Sequence, residues 1–74
     1  MLHEEIMAGF EVLDRFYAER VATATLCTRA VADGDTDSAK SFADRFVALT
    51  DAMDELRDRL HAAVEANTIT AHLS

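Results

Sequence analysis

Proline is absent from the 74 residues, and glycine occurs only at positions 9 and 34. Nothing therefore forces a kink or a break except the stretch DGDTDS, residues 33–38. Tryptophan is also missing, and Lys40 is the single lysine. Cys27 is the only cysteine, which excludes an internal disulfide and fits a reducing compartment. No apolar run approaches the roughly 20 residues that span a bilayer. Met1 to Glu5 holds two acids and no Lys or Arg, unlike a secretory leader. These absences lead to the expectation of a soluble, cytoplasmic chain.

Positive charge is scarce as well. Fourteen acids against seven Lys and Arg leave a net charge of −7. That argues against direct binding to nucleic acid, whose phosphates require clustered cations, and against anionic membranes. Residues 1–37 carry eight acids and three bases, residues 38–74 six and four, so the first half is the more negative.

What is present is helical periodicity. Phe42, Phe46, Leu49, Met53, Leu56, Leu60, Ala63 and Asn67 are spaced alternately by four and three, which keeps one stripe on one side of a helix. Between them lie Asp44, Arg45, Asp51, Asp54, Glu55, Arg57, Asp58 and Arg59, a solvated face. In the first half, Ile6, Phe10, Leu13, Tyr17, Arg20, Ala24, Cys27 and Val31 repeat the alternation, widened by Leu2, Phe16 and Val21. The expected fold class is all-α, an antiparallel two-helix hairpin dimerising into a four-helix bundle. A single domain covers residues 1–74: a helix over about 3–32, a turn at 33–37, a helix over about 37–66 and a frayed tail at 67–74.

The alternating Asp33, Asp35 and Asp37 resemble the opening of a calcium loop, but the rest of the pattern departs from one. An EF-hand needs glycine at its sixth position and glutamate at its twelfth. Counted from Asp33, those places hold Ser38 and Asp44. The simpler reading is a turn. Gly34 takes the left-handed conformation that ends a helix, and Asp35, Thr36 or Asp37 caps the next one.

A short turn makes the helices antiparallel neighbours, with facing residue numbers that sum to 69 or 70. Cys27 then meets Phe42, Ala24 meets Phe46, Tyr17 meets Met53, Leu13 meets Leu56 and Phe10 meets Leu60. Arg20 falls on the stripe near Leu49, within reach of Asp51 or of an acid on another chain.

No catalytic residue, cofactor or metal is assigned. The chain lacks a G-x-S-x-G elbow, a glycine-rich phosphate loop, an H-E-x-x-H helix and a Glu-x-x-His pair. His61, with Asp58 and Glu65 on its own helix and His3 near it in the hairpin register, has zinc-compatible spacing. It reads more simply as part of the polar face. Cys27 reads as a core residue and not a nucleophile.

Two rods cannot enclose their own stripes. From Val21 to Val31 the first helix carries a single charge, Arg29, and is apolar around most of its circumference. Such a helix is normally covered on more than one side. The expected interface comprises Phe10, Leu13, Phe16, Tyr17, Arg20, Val21, Ala24, Leu26, Phe46 and Met53. Its occupant is a second copy or another helical protein. The expected function is an acidic interaction module, of the adaptor, assembly-factor or chaperone-like kind, and not an enzyme. The alternative is an acidic inhibitor that mimics nucleic acid and occludes a basic site.

Overall fold

The computed structural model describes residues 2–73, with side chains through Thr68. It is an all-helical hairpin: α1 spans His3–Ala32 and α2 spans Thr36–Leu73. Glu4 and Glu5 occupy the first turn of α1 and Arg29 its last, each sign matched to the helix dipole. The threonines are accommodated by donating back to the preceding turn, Thr23 Oγ1 to the Glu19 carbonyl at 2.8 Å and Thr50 Oγ1 to the Phe46 carbonyl at 3.0 Å.

The turn closes as a Schellman motif. Gly34 has φ 74°, the left-handed conformation that a side chain would strain. The Asp35 amide donates to the Ala30 carbonyl at 2.9 Å and the Gly34 amide to Val31 at 3.1 Å. Asp35 then caps α2, its Oδ1 accepting from the Ser38 amide at 3.2 Å. The hydrogen bonds to Ser38 hold the Asp35 carboxyl below its ordinary value of 3.8. A depressed folded-state pKa contributes stability above the unfolded value, and that contribution is lost as the pH falls through the folded one. Asp35→Ala is thus expected to lower the melting temperature at neutral pH, with the deficit shrinking in acid. Asp35→Asn should keep the neutral-pH midpoint, because asparagine caps as well. Thermal melts across the acid range check both; an unchanged Asp35→Ala midpoint at neutral pH would contradict the capping role.

The second helix begins at Thr36 and runs through Leu73, beyond the expected end near residue 66. The segment expected to fray, 67–73, is thus helical as far as the chain is described. Neither proline nor glycine interrupts it, and Thr68 Oγ1 donates back to the Val64 carbonyl at 2.9 Å. Because α1 begins at the level of residues 66–67, the last turns of α2 project past it by about 10 Å, at 1.5 Å per residue. Any docking of Ile69 or Leu73 lies outside the described side chains, as does His72.

Burial corrects the stripe assigned to α1. The residues turned toward α2 are Ile6, Gly9, Leu13, Phe16, Arg20, Thr23, Cys27 and Ala30, all buried or half-buried. Tyr17 and Val31, expected on that seam, are 55% and 66% exposed. The expected stripe had followed the bulky residues and so wove between two adjacent rows. The true seam takes small residues because the helices lie close. A Cβ placed on Gly9 would stand 2.5 Å from Cδ2 of Leu60. Leu60 therefore packs on Gly9, a numbering sum of 69 that keeps the expected register. The α2 stripe needs no such change: Phe42 through Asn67 are each half-buried or buried.

The core that results is thin. Among the described residues only Ile6, Thr23, Ala30, Met53 and Leu60 are buried. The hairpin measures 60 × 15 × 12 Å, with a radius of gyration of 17.1 Å. A compact domain of this length would have about 11 Å. No described helix is long and apolar enough to cross a membrane.

Candidate interaction surface

Each helix carries a second row beside its seam, at the same alternating spacing. On α1 the row is Met7, Phe10, Asp14, Tyr17, Val21, Ala24 and Thr28. On α2 it is Lys40, Ala43, Val47, Thr50, Asp54, Arg57, His61 and Val64. Two adjacent rows are what a bundle helix shows when it packs on two neighbours instead of one. Here only the inner rows have a neighbour within the chain.

The outer rows form one side of the hairpin, and that side is grooved. Toward the turn, a groove of about 750 Å3 is lined by Tyr17, Arg20, Val21, Ala24, Thr25, Thr28, Arg29, Ala32 and Phe46. It shares Ala24, Thr28 and Phe46 with a second hollow of about 490 Å3 that adds Cys27, Val31, Ala43 and Val47. It shares Tyr17 and Arg20 with a third, which adds Leu13, Asp14, Met53, Asp54 and Arg57. Near the open end, Met7 and Phe10 line a hollow with His3, Ile6, Val64, Asn67 and Thr68. The walls nearest the turn are mostly apolar, and their large residues stand well out of the seam: Val21 is 51% exposed and Val47 58%.

Arg20 sits where the groove meets the seam, and its partners differ from those expected. Its Nη1 donates to Thr50 Oγ1 at 3.3 Å, not to a carboxylate. Its guanidinium carbon lies 5.5 Å from the Tyr17 ring centroid and 5.6 Å from that of Phe46, within cation–π range of both. Asp51, one residue past Thr50, is rotated about 100° away and exposed. The bridge ties the helices in register beside two aromatic rings that both line the groove. Nearby, the Cys27 thiol donates to the Ala39 carbonyl at 3.4 Å, a structural use of the cysteine.

Of the ten residues expected at an interface, Tyr17, Arg20, Val21, Ala24 and Phe46 line the main groove, Leu13 and Met53 its continuation, and Phe10 the hollow near the open end. Met53 is also one of the buried seam residues. Phe16 belongs to the seam row, and Leu26 lies elsewhere. Five residues past Val21, it is about 140° around the helix, on the opposite side of the hairpin. Val47, Ala43 and Thr28 were missed as groove residues; their signal was the second alternating row, which is legible once the first is set correctly.

The described ion pairs lie on α2, Arg57 with Asp54 at 3.0 Å and Arg59 with Glu55 one turn apart. Among the described residues no three His, Cys, Asp or Glu side chains are placed to hold a metal ion. Comparison with protein-family models, with curated proteins and with solved structures finds no match.

Proposed function

We propose that this chain is a small acidic protein–protein interaction module of the cytoplasm, which acts by laying the grooved side of its hairpin against another helical surface. One observation carries the reading. A complete second row of residues, apolar around Tyr17, Val21, Ala24 and Val47, is left without a partner by a fold that buries only five side chains among the described residues. Burying a valine or a tyrosine fully is worth about 1.5–3 kcal/mol, and these residues realise only part of it in one copy. Exposed apolar strips of this length mark interfaces. The reading is of a binding protein, an adaptor or assembly factor, and assigns no catalysis.

Salt separates this reading from that of an acidic nucleic-acid mimic. Association through the groove is driven by apolar contact and should survive high salt, whereas a mimic's hold on a basic protein should weaken steeply as charges are screened. Sedimentation of the full chain in low and high salt, alone and with a basic nucleic-acid-binding protein, provides the test. Binding to the basic protein only at low salt, with no salt-resistant association, would overturn the groove reading.

A further inference from the structure

The outer rows also carry charge, and its order along the hairpin is not symmetric. At the turn end stand Arg29, one residue past the α1 row and lining the main groove, and Lys40 of the α2 row. Farther along stand Asp14 and Asp54, which line the same hollow. Asp54 pairs with Arg57, while Arg29, Lys40 and Asp14 take part in neither described ion pair. The two most exposed valines of the middle stretch, Val21 and Val47, lie at the same level. The hydrogen bonds Arg20–Thr50 and Cys27–Ala39 set that level, since facing numbers sum to 70 in one and 66 in the other.

We infer that a second copy of this chain covers the groove in antiparallel orientation, its twofold axis passing beside Val21 and Val47, with Arg29 of each copy against Asp14 of the other. This rests on the groove being the interaction surface. A twofold axis across the hairpin lays α1 on α1 and α2 on α2, running in opposite directions. Arg29 is eight residues after Val21 and Asp14 seven before it, so the two meet across the axis. Lys40 and Asp54 each lie seven residues from Val47, so they meet likewise. The alternative twofold, along the hairpin, lays α1 on the other copy's α2 at the same level. It would put Arg29 opposite Lys40 and Asp14 opposite Asp54, like charge against like. Charge order therefore selects the antiparallel pairing, as such patterns set orientation more than affinity. An axis beside Val21 lies 13 residues from Gly34, so the copies overlap over about 40 Å, at 1.5 Å per residue, on a face 15 Å wide. That is roughly 600 Å2 per partner, a small contact of the kind that dissociates on dilution.

Cross-linking tests the geometry directly. In a Cys27→Ser background, which keeps a hydroxyl donor for the Ala39 carbonyl, V21C should form a disulfide-linked dimer under mild oxidation. T28C, about 10 Å farther along the helix and about 20 Å from its symmetry mate, should not. In the full chain, R29D and D14R should each weaken dimerisation about tenfold, and the double variant should restore it to within a few-fold of the original. Failure of restoration, or a T28C cross-link as efficient as that of V21C, overturns the antiparallel axis while leaving the groove as the surface. A wild-type chain that sediments as a folded single copy overturns the second copy as occupant and leaves the groove to a different helical partner. A wild-type dimer in which V21C does not cross-link and neither charge reversal matters places the contact elsewhere, and the groove reading falls with it.

Discussion

Leu60→Ala is expected to destabilise the hairpin by about 2–5 kcal/mol, the largest loss of any single truncation in the chain. Leu60 is 1% exposed, the most completely buried large side chain among the described residues. It lies over Gly9, whose missing side chain makes the room it fills. A truncated residue 60 would leave a void that a glycine cannot help to close, so the cost should fall toward the upper end of the range. Urea unfolding followed by circular dichroism, at fixed protein concentration, measures it. A loss below about 1 kcal/mol would show that the seam is not tightly packed there. The companion test is non-additivity. Gly9→Ala alone gains about 1 kcal/mol of helix propensity but places a methyl 2.5 Å from Leu60 Cδ2, so the buried leucine must shift and the change should be neutral to destabilising. In the Leu60→Ala background the same change fills the void and should stabilise, and the difference between the two contexts is the coupling across the seam.

Val21→Asp is expected to weaken self-association roughly a hundredfold or more. Val21 sits on the outer row, half exposed in one copy, so the change removes nothing from the intramolecular seam. In the proposed antiparallel dimer it would replace two apolar contacts at the axis by two carboxylates that face each other, losing burial and adding desolvation and repulsion. Leu26→Asp is the matched control. Leu26 is 41% exposed, comparable in size, and on the opposite side of the hairpin, so the oligomer should be unaffected. Sedimentation velocity of the three proteins decides the matter. A Val21→Asp chain that still sediments as the wild type does, or a Leu26→Asp chain that dissociates, would place the interface on the other side.

The parts of the fold that depend on strong local chemistry were legible in the residues. The break at Gly34, the cap at Asp35 and the row from Phe42 to Asn67 each rest on a residue type with few alternatives. The α1 seam was less so, because its signal is inverted: Gly9, Thr23 and Ala30 are inside on account of being small, while Tyr17 and Val31 are large and outside. Hydropathy ranks such positions in the wrong order when two helices approach closely. The partner of Arg20 was obscured for a different reason. Charge suggested Asp51, but the turn of the helix presents Thr50, and the two aromatic rings complete the setting. The surface itself was half visible. An apolar surplus on α1 was evident, yet Leu26 and Val21 were equivalent until the seam showed which side each one occupies.

Whether a second copy covers the grooved side is tested most directly by sedimentation equilibrium of the full chain, from high to low micromolar concentration. The expected result is a particle of twice the 8.1 kDa chain mass that dissociates on dilution, with a melting temperature that falls as it does. A fully helical particle of 8.1 kDa throughout, melting at a temperature independent of concentration, would contradict it.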